Sequence, residues 1–253
     1  MSTGTGLKLT AWQLFEGKNI ILKTDIHQPV SIHARAVGRF LLWISVGLTI
    51  AHIVSMVAWY KDLLPIDDWL YISFFDLDEE ESLGTWFSTM ILLLAGLLTL
   101  FHAKYRHGNS QRWHFCWWLL GIGFCVLSLD EVAGFHEFVN TVVEDTHWTT
   151  FGAMLVLALG LVFLPFLLAL PTPTRLLFLV SGFIYVGGAI GVEWATIWHQ
   201  ENDLLDTLPY NLWNALEEFM EMAGVILYIY ALLAYITNDR QGAILQLRFG
   251  RTS

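Results

Sequence analysis

Six stretches of the chain are apolar over about 20 residues, the length that an α-helix needs to cross the hydrocarbon core of a bilayer. They are Val37–Trp59, Gly84–Phe101, Trp113–Phe138, Phe151–Leu170, Arg175–Trp198 and Leu212–Ile236. Backbone polar groups inside lipid must be hydrogen-bonded within their own segment, so each stretch is expected to be helical. The sequence therefore predicts an all-α fold, a polytopic membrane bundle of six transmembrane helices.

The composition agrees with a chain that is solvated by lipid. Charged residues make up 14% of the sequence, whereas soluble domains carry roughly 25%. We expect one transmembrane domain over residues 36–237, between a cytoplasmic or interfacial segment (1–35) and a cytoplasmic tail (238–253). The aromatic and acidic connection Lys61–Leu83 is predicted to form a short re-entrant or interfacial element.

Basic residues indicate the orientation of the bundle. Of the 13 Lys and Arg residues, all but Lys61 fall on one side of the predicted spans: Lys8, Lys18, Lys23, Arg35, Arg39, Lys104, Arg106, Arg112, Arg175, Arg240, Arg248 and Arg251. By the positive-inside rule this side, with both termini, is cytoplasmic. Almost all acids lie toward the opposite side, and the net charge is −10. Such a field attracts cations and excludes nucleic acid as a partner.

Acidic side chains inside the predicted spans are the strongest candidates for function. A carboxylate at the bilayer centre costs roughly 2.5–3.5 kcal/mol, so such groups usually face the bundle interior and act there. The candidates fall in the outer halves of the third, fifth and sixth spans: Asp130, Glu131, His136, Glu137, Glu193, His199, Glu217, Glu218 and Glu221. Their similar depth predicts that they converge.

Helix geometry supports the carboxylates more firmly than the histidines. Glu217 and Glu221 are four residues apart and share a face, with Glu218 close by. Glu131 and His136 are about 140° apart around a regular helix. They can share a ligand only if the helix bends or ends near Gly134, where glycine permits unusual backbone geometry.

Crowded carboxylates repel one another unless they hold protons or a cation. We predict a divalent metal ion, with iron as one candidate, because this donor set is typical of di-iron and di-manganese helical sites. Its expected ligands are Glu131, His136, Glu193, His199, Glu217, Glu218 and Glu221, with Asp130 and Glu131 as the catalytic pair. The usual Glu-x-x-His pair is absent, however, and calcium or magnesium would accept oxygen ligands alone. A network of shared protons is the alternative.

Three other features have plainer interpretations. The acids of Asp76–Glu81 are expected to be a solvated cap at the N-terminus of the second span, where they complement the helix dipole. His52 is expected to be a core histidine bonded to a neighbouring carbonyl. Glycines in the fifth span are expected to let helices approach closely; they are Gly182, Gly187, Gly188 and Gly191.

Three groups of residues carry a family resemblance. They are Phe75-Asp76-Leu77-Asp78 with Thr85-Trp86-Phe87-Ser88, Ser128-Leu129-Asp130-Glu131 with His136-Glu137, and Glu217-Glu218 with Glu221-Met222 and Gly224. Together they resemble a family of uncharacterised bacterial multi-pass membrane proteins, over residues 70–230. The resemblance implies six helices and a bacterial inner membrane, and no activity.

Three functions are compatible with these features. The first is a metal-dependent membrane enzyme acting on an apolar or lipid-like substrate, with di-iron-type oxidation ahead of hydrolysis by metal-bound water. The second is a cation or proton transporter that uses the same carboxylates. The third is a non-enzymatic subunit of a larger membrane complex or a homo-oligomer, whose acids are satisfied by a partner.

Overall fold

The structure is a computed structural model that describes residues 33–63, 69–105, 111–135, 138 and 147–239. All regular structure within these residues is helical. The α-helices are α1 (Ala34–Tyr60), α2 (Trp69–Phe75), α3 (Leu83–Tyr105), α4 (His114–Ala133), α5 (Trp148–Ala169), α6 (Thr172–Val186), α7 (Glu193–Glu201) and α8 (Leu208–Asp239). A short 3-10 turn, Gln111–Trp113, precedes α4, and a π-helical segment, Gly187–Val192, joins α6 to α7.

The predicted six spans are confirmed. In the described part of the chain, six helical runs are long and apolar enough to cross a membrane: α1, α3, α4, α5, the continuous run α6–π–α7, and α8. This is the architecture of a multi-pass membrane protein. The short element predicted between the first two spans is present as α2, which packs against α1 and α3.

The third span ends earlier than Phe138, the boundary predicted from hydropathy. Helix α4 stops at Ala133 because Gly134 adopts the left-handed conformation, with φ 55°. The Gly134 N–H donates to the Asp130 carbonyl at 2.8 Å, which is the bond that closes a left-handed helix cap. The helix end expected beside Asp130 and Glu131 is therefore confirmed.

Helix α8 is the centre of the bundle. It packs against α1, α3, α6 and the π-helical segment, while α3 packs closely against α4. The core between them is apolar and fully buried at Leu92, Trp117, Ile229 and Leu232. Helix α5 is the least buried of the six spans and contacts α6 and the π-helical segment at the edge.

Consecutive spans alternate in direction, so the bundle has two chemically different ends. The basic end contains the starts of α1, α4 and α6 and the ends of α3, α5 and α8, and it carries Arg35, Arg39, Lys104, Arg112 and Arg175. The acidic end is the opposite one, where α4 and α7 end and α8 begins. This segregation matches the charge pattern of the sequence.

Two glycines set the distance between the fifth and sixth spans. A Cβ atom on Gly188 would lie 2.9 Å from the Glu217 carbonyl oxygen, and one on Gly224 would lie 2.8 Å from the Tyr185 backbone nitrogen. The Ser181 hydroxyl donates to the Gly224 carbonyl at 2.8 Å across the same contact. Small residues thus bring the two backbones together, as predicted for Gly188.

The other glycines predicted to mediate this contact differ from one another. A Cβ atom on Gly187 would meet the end of the Met220 side chain at 3.0 Å, so this position is also close to α8. Gly182 and Gly191 have nothing within 4 Å of their ideal Cβ positions. The prediction of close approach is wrong for these two, because they point away from α8.

Candidate cation-binding cavity

A cavity of about 500 Å³ lies at the acidic end of the bundle. Eight carboxylates line it, and they come from four parts of the chain: Asp78, Glu80, Asp130, Glu131, Glu193, Glu217, Glu218 and Glu221. The six acids predicted in the third, fifth and sixth spans and described by the structure therefore do converge. No Lys, Arg or His side chain of the described residues lines the cavity.

Helix α8 contributes one continuous face to this cavity. Tyr210, Asn214, Glu217 and Glu221 are separated by four, three and four residues, the spacing that aligns side chains along one side of a helix. All four line the cavity, and Glu217 is only 9% exposed. Carboxylates on this face are therefore largely removed from water.

The fifth span places Glu193 by means of its π-helical segment. Six residues, Gly187–Val192, are π-helical, and Glu193 follows directly at the start of α7. The wider turn changes the direction in which the following side chains point, and π-helical insertions often occur at functional sites. A regular helix through the fifth span would have pointed Glu193 in a different direction, and the π-helical segment is the reason for the difference.

Hydrogen bonds link the fifth and sixth spans across the cavity. The Glu193 side chain is a hydrogen-bond partner of Glu217, and it accepts a long bond from Gln200 Nε2 at 3.4 Å. The Tyr185 hydroxyl is a partner of Glu221. These contacts join the carboxyl groups of the fifth and sixth spans to one another and to a tyrosine hydroxyl.

The third span supplies Asp130 and Glu131, both half-buried, from the last turn of α4. Because the helix ends at Gly134, these two side chains lie at the wall of the cavity rather than in the middle of a span. His136 and Glu137 lie outside the described residues. The predicted role of His136 as a ligand stays a prediction.

The acidic connection before α3 is only partly the solvated cap that was predicted. Asp78, Glu79, Glu80 and Glu81 are exposed as expected, but Asp76 is 9% exposed, and Asp78 and Glu80 also line the cavity. The Asn214 side-chain amide donates to Asp78 Oδ1 at 2.6 Å. This bond joins residues 136 positions apart, so no local sequence pattern could have revealed it.

His52 holds the acidic connection against the bundle. The ring is fully buried, its Nδ1 accepts from the Leu77 N–H at 3.0 Å, and its Nε2 donates to the Asn211 carbonyl at 3.1 Å. The Asp76 carboxylate also lies beside the ring, with its Oδ1 3.3 Å from Nδ1. The expected core histidine bonded to a carbonyl is confirmed, and it anchors the turn that carries Asp78.

Asn214 provides an independent sign that the cavity takes a ligand. The residue is 6% exposed, its Nδ2 donates to Asp78, and its Oδ1 is buried without a hydrogen-bond partner. Leaving a buried acceptor unpaired costs about 1–3 kcal/mol. A donor or a cation in the cavity would satisfy this oxygen.

The structure does not place His199 among the residues that line the cavity. Its ring centroid lies 6.2 Å from that of Tyr210, which does line it. The Nδ1 atom of His199 is buried and has no hydrogen-bond partner. His199 is thus beside the cavity, and a direct ligand role would require the ring to move.

The carboxylates are spread around the cavity rather than gathered at one point. Within the described residues, no group of three or more His, Cys, Asp and Glu side chains is close enough to hold a metal ion directly. The cavity volume of about 500 Å³ has room for a cation together with several of its waters. Magnesium usually keeps several waters and is bound through one or two carboxylates.

An apolar wall faces the carboxylates. Gly152, Leu155 and Val156 of α5 line the cavity together with Ile190 of the π-helical segment. Leu155 is 59% exposed, on the helix that lies at the edge of the bundle. The cavity therefore combines a charged side with a side that borders the lipid.

Residues 41–236 match the model of a family described as a domain of unknown function, DUF8692. The chain belongs to this family. The matched region contains every carboxylate of the cavity, and DUF8692 membership agrees with the resemblance to an uncharacterised multi-pass protein. No curated protein matches the chain. No solved structure matches it.

Proposed function

We propose that this DUF8692 protein binds a divalent cation in the acidic cavity and acts with it on an apolar or lipid-like substrate. The observation that carries the proposal is the convergence of eight carboxylates on one cavity that no basic side chain of the described residues lines. The unpartnered Asn214 Oδ1 supports it independently. Like charges that are crowded and at least partly buried, as six of the eight are, need a compensating cation or protons.

The donor atoms favour a hard cation. The polar groups that line the described cavity are carboxylate, amide and hydroxyl oxygens, which suit magnesium, calcium or manganese. Glu131, Glu217, Glu218 and Glu221 are the proposed ligands, mostly through water, with Glu193 beside them. Iron remains a candidate through His136 and His199, which would add imidazole nitrogen.

The substrate is proposed from the apolar wall. An amphipathic molecule with its tail toward Leu155 and Val156 would place its polar end among the carboxylates. There Asp130 is the proposed base, next to the ligand Glu131. Two reaction classes fit, oxidation at a metal centre and hydrolysis by a metal-bound water.

Metal quantification tests the proposal. The full chain, purified in detergent, is dialysed against Mg²⁺, Ca²⁺, Mn²⁺ or Fe²⁺, and the bound metal is counted by mass spectrometry. We expect about one or two ions per chain for at least one metal, and a clear loss for Glu221→Gln. Glu81→Gln is the matched control, because Glu81 is exposed and does not line the cavity. Equal metal content in both variants would reject the site.

A second function is favoured by the hydrogen bond between Glu193 and Glu217. Two carboxyl groups that share a proton are the elements of a proton-transfer path. On this alternative the protein binds no stoichiometric metal and moves protons or small cations. Proton uptake by proteoliposomes, measured for wild type and Glu217→Gln, would distinguish it from the metal-dependent enzyme.

Orientation and location complete the proposal. The segregation of basic residues favours an orientation with both termini in the cytoplasm, and the resemblance to a bacterial family is the ground for proposing a bacterial inner membrane. Single cysteines in a background without Cys116 and Cys125 test the orientation. Positions 145 and 203 should react with an impermeant maleimide from outside, and position 107 should not. Outside labelling at position 107 would reverse the orientation.

A further inference from the structure

A second cavity, a groove of about 240 Å³, lies between α1 and α8 at the basic end. On α1 it is lined by Arg35, Gly38, Arg39 and Leu42, which follow one another at helical spacing and share one face. On α8 the opposite wall includes Ile226 and Tyr230. The groove thus has two arginines at one end and apolar or aromatic side chains along the remainder of its length.

Gly38 gives the groove its depth. It lies between the two arginines on the same helix face, and a Cβ atom there would meet Tyr230 Cβ at 3.4 Å, an ordinary contact distance. Because Gly38 itself lines the groove, a longer side chain at this position would occupy part of that space.

The two arginines have the charge and geometry to bind an anion. Both are exposed, and in the described part of the chain neither has a carboxylate within 4.0 Å. They are four residues apart, so both guanidinium groups project from the same side of α1. A guanidinium group donates parallel hydrogen bonds to phosphate oxygens, which makes a pair of them a good phosphate site.

We propose that this groove binds an anionic phospholipid, with its phosphate on Arg35 and Arg39 and part of an acyl chain along Leu42, Ile226 and Tyr230. Basic pockets between membrane helices are a common way to hold such headgroups. A free phosphate would use the arginines but not the apolar part. The proposal is independent of the acidic cavity, which lies at the other end of the bundle.

The test uses the detergent-purified full chain and counts bound lipid by native mass spectrometry. Phosphatidylglycerol is titrated against phosphatidylcholine with identical acyl chains, with and without inorganic phosphate. We expect phosphatidylglycerol to bind and phosphatidylcholine to bind much more weakly. Equal binding of the two lipids would overturn the charge recognition, and full displacement by millimolar phosphate would show a simple anion site instead.

Two variants locate the binding. Arg35→Gln with Arg39→Gln should lower phosphatidylglycerol affinity about 30-fold, because each basic residue near a membrane surface contributes a factor of about five. Gly38→Leu keeps both arginines and fills the groove, and it should also weaken binding. Arg175→Gln, at the same end but outside the groove, is the control. Wild-type affinity in both groove variants, or equal loss in the control, would overturn the proposal.

Discussion

The two ends of the bundle carry opposite charge, and they hold it in different ways. At the basic end, Arg35 and Arg39 are exposed on the surface of α1. At the acidic end, Glu217 is 9% exposed and lies among other carboxylates in a cavity. Exposed basic residues are sufficient to orient a membrane protein. Buried acids are not needed for that purpose and are costly, so the difference supports the proposal that the acidic end binds a cation.

The largest difference between the two ends is expected in the stability lost when a packed glycine is replaced by alanine. Gly188→Ala puts a Cβ atom 2.9 Å from the Glu217 carbonyl oxygen, and we expect it to lower the free energy of unfolding by about 1–3 kcal/mol through overpacking. Gly38→Ala, at the basic end, meets Tyr230 at 3.4 Å and should be neutral or slightly stabilising. Denaturation in detergent micelles measures both. Equal losses would mean that the acidic end is no more tightly packed than the basic end.

Loss of the His52 hydrogen bonds should lower the free energy of unfolding by a similar amount. His52→Phe leaves the buried Leu77 N–H without its acceptor, which should cost about 1–3 kcal/mol. The turn that carries Asp78 should also loosen, so amide hydrogen exchange at residues 76–80 should become faster. His114→Phe is the control, because His114 is exposed and, within the described residues, its side chain bonds only Trp118 of the same helix. Unchanged exchange in His52→Phe would show that the ring does not hold the turn.

The smallest effect is expected at a basic residue outside the groove. Arg175 is half-buried and makes two long hydrogen bonds, to the Leu168 carbonyl and to the Thr172 hydroxyl, both at 3.4 Å. Arg175→Gln should change the free energy of unfolding by less than about 0.5 kcal/mol. A larger loss would contradict the view that charge at this end orients the chain without stabilising it.

Hydropathy was sufficient to predict the spans, because a bilayer leaves a long apolar segment few alternatives to a helix. The helix end at Gly134 and the convergence of Glu131, Glu193 and Glu217 also followed from the sequence. The approximate depth of a residue depends on its position along its own span, which the sequence shows directly.

Most of the other features of the site could not be predicted, because they depend on contacts between segments that are distant in the sequence. Asp78 resembles a capping residue until Asn214 is placed beside it. The π-helical segment before Glu193 has no periodicity that a regular-helix argument detects. Asn214 itself could have been found, because Tyr210, Asn214, Glu217 and Glu221 form a polar stripe at helical spacing in the sixth span.

The central claim is that a cation compensates the carboxylates of the acidic end, and a melting experiment tests it most directly. Wild type and Glu221→Gln are unfolded thermally with chelator and with a saturating divalent metal. We expect the metal to raise the wild-type Tm by roughly 5–10 °C, since ligand at 100 times its Kd adds about 2.7 kcal/mol, and to raise that of Glu221→Gln much less. A wild-type melt insensitive to both additions, with Glu221→Gln more stable than wild type, would contradict the account and favour shared protons.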